Sequence, residues 1–414
     1  MCLTDFAMES KIEIIQINIS GEDKPGMTSS LTDILARYDA FILDIGQANI
    51  HQSLTLGILF MTTSDKSGAI LKELLFKASE LGVMIRFTPI TEEHYQAWVG
   101  RQGKNRYIIT LLGRQVTARH IAGVTKAVAE QGLNIDAIKR LTGRMPLEEE
   151  NRATRACIEL SVRGSLTDEE RSTMQEGFMN LSEIGLDVSF QKDDIYRRSR
   201  RLICFDMDST LIESECIDEM AAFAGAGERI SRITRRAMEG LIPFDESLRQ
   251  RVAALAGSSA EIVTHAVERA VPTPGALDFV DFLTRHGLAT YIITGGFEEI
   301  ATHVARRFGM TGVVCNRLVL EDGRLTGGVR GPAGGKILDA DGKRRALEVL
   351  AQVNGASLSE TIAGGDGAND LQMIAAAGFG FAYHGKPVVM REAPRGVRFG
   401  DFSVLKHCFL EAWA

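Results

Sequence analysis

Residues 12–19 read Ile12-Glu13-Ile14-Ile15-Gln16-Ile17-Asn18-Ile19, and this alternation of apolar and polar positions predicts a strand with one face on a core. The turn-rich run 20–26, Ser20-Gly21-Glu22-Asp23-Lys24-Pro25-Gly26, ends it. Over 27–38 the apolar residues Met27, Leu31, Ile34 and Leu35 recur at helical spacing, with Thr28 or Ser29 as the expected cap. Strand-like runs follow at 41–50 and 54–62, then a helical pattern at 71–81 and a strand at 83–89. The order is β-α-β-β-α-β.

The same order returns from Arg106. A strand at 107–112 precedes Gly113, a helix is expected over 118–131, strands over 134–141 and 156–162, a helix over 167–184 and a short strand over 186–190. Two consecutive copies are stronger evidence of a module than either alone, and each has the length and order of a ferredoxin-like unit. The expected units are 11–92, 105–192 and 200–414. The charged stretch 193–201 between the last two reads as a solvated linker.

From Leu202 onward strand-like runs alternate with helical ones, which predicts a Rossmann-like, doubly wound parallel sheet. Three of its strands end in polar clusters: Asp206-Met207-Asp208-Ser209-Thr210, Thr294-Gly295-Gly296-Phe297, and Gly364-Gly365-Asp366-Gly367-Ala368-Asn369-Asp370. Parallel strands carry their carboxyl ends to one edge, where open α/β sheets bind ligands. The chemistry these clusters suit is phosphoryl transfer. Asp206 is the candidate nucleophile, since an aspartyl-phosphate divides one hard displacement into two easier ones. Asp208, two residues on, is the candidate acid and base. The Thr294 hydroxyl and the N–H groups of Gly295 and Gly296 are expected to hold phosphate oxygens. An anion attacking an anion requires positive charge nearby. Asp206, Asp366 and the Asp208 carbonyl offer the oxygen ligands Mg²⁺ prefers, and Lys343 is the best-placed cation, with Lys336 as competitor.

Composition narrows the partners. The chain has 414 residues, 45% hydrophobic and 24% charged, with a net charge of −7, so a polyanion-binding surface is not expected and nucleic acid is set aside. Six scattered cysteines form no C-x-x-C pair and read as reduced and mostly buried. No signal peptide and no membrane-spanning run is visible, so a cytoplasmic location without membrane attachment is expected.

The set D-x-D-S-T, T-G-G, K and G-D-G-A-N-D resembles the haloacid dehalogenase superfamily of phosphatases, and within it the enzymes that act on phosphoserine. That resemblance implies a helical cap at about 213–272. It implies that Glu215 meets the substrate ammonium and Arg251 its carboxylate, with Met238 and Phe244 as apolar cap residues. It gives Asp206 and Asp208 their catalytic roles, Lys343 that of phosphate anchor, Asn369 a contact near the phosphate and Asp370 support of the metal. The implied reaction is Mg²⁺-dependent hydrolysis of O-phospho-L-serine, the last step of L-serine biosynthesis. A phosphatase for another phospho-amino acid or a phosphoprotein, and a purely regulatory binding protein, are the alternatives. The two N-terminal units resemble ACT domains, regulatory modules of amino-acid metabolism. Gly21-x-Asp23-x-x-Gly26 matches the ACT ligand loop, whereas the second copy keeps only Gly113, followed by Arg114-Gln115-Val116-Thr117. Association of ACT domains implies a homodimer, with L-serine as the candidate effector.

Overall fold

The computed structural model describes residues 11–100, 105–143, 156–181, 185–238 and 241–409. The chain forms two compact units that divide after Lys104. In the first, β1 (Ile12–Glu22), α1 (Met27–Arg37), β2 (Phe41–Ile50), β3 (Ser53–Thr63), α2 (Ser64–Leu81) and β4 (Met84–Ile90) build an antiparallel sheet of order β2-β3-β1-β4. Alternation in β1 turns Ile15, Ile17 and Ile19 toward Met27, Leu31, Ile34, Leu35, Ile70 and Leu74. Burying each such side chain contributes roughly 1.5–3 kcal/mol. Gly26, at φ 82°, is the N-cap of α1, so Thr28 and Ser29 lie inside the helix rather than capping it. Helix α2 starts seven residues before the expected position, because its first turns, Ser64-Asp65-Lys66-Ser67-Gly68, carry no apolar period. An additional helix, α3 (Glu92–Val99), follows β4, capped by the Thr91 side chain at the His94 N–H.

The second unit opens with the repeat: β5 (Arg106–Gly113), α4 (Ala118–Glu130), β6 (Asn134–Arg140), β7 (Ala156–Arg163), α5 (Asp168–Leu181) and β8 (Leu186–Lys192). The sheet order β6-β7-β5-β8 repeats the first by position. Residues 182–184, at the expected end of the second helix, lie outside the described residues. The stretch 193–201 is not a solvated linker. It contains α6 (Ile195–Arg198), and Arg197 is buried, pairing with Glu159 at 3.1 Å and Asp193 at 3.4 Å. The Arg197 charge is internal because β7 supplies a carboxylate from 38 residues away, whereas Arg198 and Arg201 remain exposed.

The larger body follows: β9 (Leu202–Phe205), α7 (Cys216–Phe223), α8 (Gly227–Met238), α9 (Phe244–Ala253), α10 (Glu261–Arg269), α11 (Ala276–Arg285), β10 (Ala289–Phe297), α12 (Glu298–Phe308), β11 (Gly312–Glu321), β12 (Arg324–Arg330), α13 (Ala340–Val353), β13 (Thr361–Gly365), α14 (Leu371–Ala376), β14 (Phe379–Tyr383), α15 (Pro387–Glu392), β15 (Gly396–Val397) and α16 (Phe402–Leu405). Its seven-stranded sheet has the order β12-β11-β10-β9-β13-β14-β15. All pairings are parallel except β11 with β12, an antiparallel hairpin at one edge. Strand order reverses between β9 and β13, which opens the crevice for a ligand. Helices α7 to α10 leave the body after Ile212 and return at Pro272, two residues that pair as an isolated bridge.

Candidate functional site

Strand β9, Leu-Ile-Cys-Phe, is wholly buried and ends directly at Asp206. The Asp206 Oδ1 accepts the N–H of Met207 at 2.8 Å. The chain then turns through Ser209 at φ 55°, a left-handed conformation that costs a non-glycine residue on the order of 1 kcal/mol or more. That turn brings Asp208 against β10: a Cβ on Gly296 would stand 3.4 Å from the Asp208 Oδ2 and 3.1 Å from the Met207 Cε. Glycine there permits the approach.

Lys343, in the first turn of α13, is fully buried, with its Nζ 2.9 Å from Asp206 Oδ2 and 2.6 Å from Asp370 Oδ1. The other Asp370 oxygen accepts the Gly367 N–H at 2.9 Å, and Asp366 Oδ1 accepts the Thr210 hydroxyl at 3.1 Å. Oxygens of Asp206, Asp366 and Asp370 lie within 4.8 Å of one another. Asp206 and Asp370 both meet Lys343, each with its other oxygen on a backbone N–H, while Asp366 is bonded through one oxygen to Thr210. Such a buried, all-oxygen set, without histidine or cysteine, suits a hard ion such as Mg²⁺.

Electrostatics follow from crowding acids in a dry place. Burial, then the charge of Glu215, raises the Asp208 carboxyl well above the usual range. Asp366 is pushed up to about 7 by burial and by Asp206 and Glu215. Asp370 is raised chiefly by burial, with Lys343 opposing. Burial alone would lower Lys343, but Asp206 and Asp370 reverse the sign and hold it charged.

A cavity of about 700 Å³ lies over this cluster, between body and cap. Asp206, Asp208, Thr294, Gly295, Gly296, Asp366 and Asn369 line it from the body, and Glu215, Phe244 and Arg251 from the cap. Glu215 precedes α7 and accepts the Ser209 hydroxyl at 2.9 Å. Arg251 projects from α9 with a buried Nε that has no partner among the described residues, and burial lowers its pKa against the opposing pull of Glu215, Asp218 and Asp208. Met238 ends α8, and its side chain lies outside the described ones. The Gly296 N–H donates to the Thr294 hydroxyl oxygen at 3.0 Å, which leaves the Thr294 O–H as a donor.

Sequence reasoning missed other participants. The hydroxyls of Thr234 and Ser247 line the same cavity, each buried without a partner. Lys386 adds a second cation to the lining. Buried Asn316 donates to the Gly295 carbonyl at 2.8 Å and accepts the Leu338 N–H at 2.9 Å, tying the glycine segment to the start of α13. The available signal was an asparagine inside the apolar run Val313-Val314-Cys315-Asn316-Arg317-Leu318.

Fold and site together define the class, a haloacid dehalogenase-like hydrolase preceded by two ACT domains. The haloacid dehalogenase-like hydrolase family matches residues 203–375, and ACT domain families match 13–88 and 106–191. A phosphoserine phosphatase of Streptomyces coelicolor is 33% identical over 389 residues, 94% of this chain and 90% of that protein. One from Mycobacterium tuberculosis is 34% identical, covering 93% and 90%. The unliganded structure of a probable phosphoserine phosphatase from Vibrio cholerae superposes with a TM-score of 0.56 at 30% identity, covering 74% of this chain and 86% of that one. The chain belongs to the phosphoserine phosphatase family.

Proposed function

We propose that the chain hydrolyses O-phospho-L-serine to L-serine and phosphate. The observation that carries the reading is one cavity holding Asp206 and Asp208 at its floor and Glu215 and Arg251 in its cap. An arginine fork suits the substrate carboxylate and a glutamate its ammonium, and the names of the relatives agree. In the first step an Asp206 oxygen forms a bond to phosphorus while the bond to the serine oxygen breaks, and Asp208 gives its proton to that oxygen. Burial, which keeps Asp208 protonated, prepares it for this. In the second step water attacks the aspartyl-phosphate, Asp208 takes its proton, and Asp206 leaves as the carboxylate. Asp206 and Asp366, with the Asp208 carbonyl, would hold Mg²⁺, which offsets charge on the phosphoryl oxygens when bound. Lys343 supplies a fixed positive charge beside Asp206.

Regulation by an amino acid, with L-serine as the candidate, fits the first ACT domain. Helix α1 begins at Gly26 with no side-chain cap, whereas α4 is capped within its own chain by Thr117 and His120. Donors at the first helix start are thus open to a ligand carboxylate. The reading includes a homodimer in the cytoplasm. Among the described residues no helix is long and apolar enough to cross a membrane.

The test is phosphate release from O-phospho-L-serine with and without Mg²⁺, for the native chain and Asp206→Asn. Turnover should require the ion and fall at least 1,000-fold in the variant. Retained turnover would remove Asp206 as nucleophile.

A further inference from the structure

A second cavity, of about 320 Å³, lies between the second ACT domain and the amino ends of β13 and β14. It is at the opposite end of β13 from Asp366. Four cations line it, Arg171 of α5, Lys192 at the end of β8, Arg200 and Arg395, and a single acid, Asp194. Its Oδ1 accepts the N–H groups of Tyr196 at 3.1 Å and Arg197 at 3.3 Å, and its one charge offsets only part of the four. The Nε atoms of Arg171, Arg200 and Arg395 are each buried without a hydrogen-bond partner among the described residues.

Two of these forks are pinned in place. Arg395 lies over the Phe379 ring, 4.4 Å from its centroid, and donates to the Gly380 carbonyl at 3.4 Å. Arg200 donates to the carbonyls of Ser359 and Gly378. Burial, then repulsion from Arg200, brings the Arg395 guanidinium down to about 10. Arg200 also falls to about 10, through burial, with Asp194 opposing. Unpaired guanidinium N–H groups held out of water and facing like charges are costly unless an anion completes them.

We propose that this cavity binds a phosphate group, free or carried on a small molecule. A phosphate presents three or four acceptor oxygens and about two negative charges, enough to meet three guanidinium forks at once. One carboxylate has only two oxygens. The ligand would touch α5 and β8 of the ACT domain and the loops that open β13 and β14, and so would bridge the two parts of this unit.

The test is thermal unfolding of the full-length chain with a chelator present, in inorganic phosphate and in sodium chloride of equal ionic strength, for the native chain and Arg171→Gln. Phosphate at the catalytic cavity contributes equally to both, so the difference between them reports the second cavity. In chloride the variant should melt at the native temperature or above it, because a repelling charge has gone. Phosphate should raise the native midpoint, and the variant should lose at least half of that rise. An equal rise in both, or chloride reproducing the rise, overturns the site. Arg200→Gln should behave likewise, although it also gives up two carbonyl contacts. O-phospho-L-serine, stable under the chelator, forms a second arm. A native-minus-variant difference with either ligand supports the site, and the larger of the two identifies its source. Because no arm requires turnover, failure of this site and failure of the proposed hydrolysis are separate results.

Discussion

In the first ACT domain the outer face of the sheet carries Gln16, Asn18 and Gly57 and is half exposed, with β2 exposed along nearly its whole length. In the second, which has the same strand order, the outer face carries Thr110, Glu159, Asp187, Ser189 and Gln191, all buried. Leu112 and Cys157 on that face join the core of the phosphatase body. Asp187 accepts the N–H groups of Arg398, Phe399 and Gly400 at 2.9, 2.8 and 3.2 Å, and Gln191 reaches the Cys408 carbonyl at 3.5 Å. One architecture thus serves as a module with a half-exposed outer face, flanked by α3, and as a fixed wall of the catalytic unit. The difference lies in a few polar side chains that bond to protein rather than to water.

Removing those side chains should break the contrast, with the largest effect at Arg197. Arg197→Met takes from buried Glu159 its arginine and leaves Asp193 with Arg106, at 3.0 Å, and should cost about 3–5 kcal/mol in urea unfolding of the second unit. A loss under about 1 kcal/mol would show that these acids find water or other partners. Asp187→Ala strips three N–H groups of their acceptor and should cost roughly 2–3 kcal/mol. The matched change on the half-exposed face, Asn18→Ala, should stay within about 0.5 kcal/mol.

Strand positions in both domains were legible because the alternation is strong, and β5 held a further hint. Tyr107-Ile108-Ile109-Thr110-Leu111-Leu112 is apolar almost throughout, the pattern of a strand covered on both sides, whereas β1 alternates. Strand β8 carries Asp187, Ser189 and Gln191 at alternate positions, the pattern ordinarily found on a solvent face. No local pattern says that a polar row will meet buried backbone groups two hundred residues later. The same limit hid Arg197, whose partner Glu159 is distant in sequence. Helix α3 has no buried residue and spans only eight residues, with Tyr95, Trp98 and Val99 as one short run at helical spacing and Thr91 with Glu92 and Glu93 at its start. In the catalytic site the clusters at strand ends were legible, because parallel strands must bring them to one edge. The position of Lys343, and the orphan hydroxyls of Thr234 and Ser247, depend on helix placement that spacing does not encode.

A pH series should sharpen the contrast. The Asp366 pKa of about 7, raised by burial and by the charges of Asp206 and Glu215, exceeds its unfolded value of about 3.9. The folded state therefore binds more protons between those values, so this contribution is full below about pH 4 and is lost as pH rises through 7. From pH 5.5 to 8 the metal-free body should lose roughly 2 kcal/mol by this route. Hydrogen exchange should show β5 and β7 sharing that slope, while β1 and β3 do not. Mg²⁺, which needs the ionised carboxylate, should flatten it. An equal slope in β1 would mean that the first domain opens only with the body.

The smallest effect separates a covered face from an open one at a single strand position. Thr110 is fully buried and its hydroxyl has no partner, so Thr110→Val removes an unmet polar atom at nearly constant volume. Stability should rise by about 1 kcal/mol. Gln16 is half exposed and its amide donates only to the neighbouring Asn18 side chain, at 3.3 Å. Gln16→Val should leave stability within about 0.5 kcal/mol of native and instead add apolar surface to an open sheet, read as lower solubility at high concentration. If Thr110→Val destabilises, the hydroxyl meets an acceptor in solution and the covered face is wetter than its packing indicates. If Gln16→Val stabilises as much as Thr110→Val, the outer face of the first domain is covered too, and the contrast between the two domains fails.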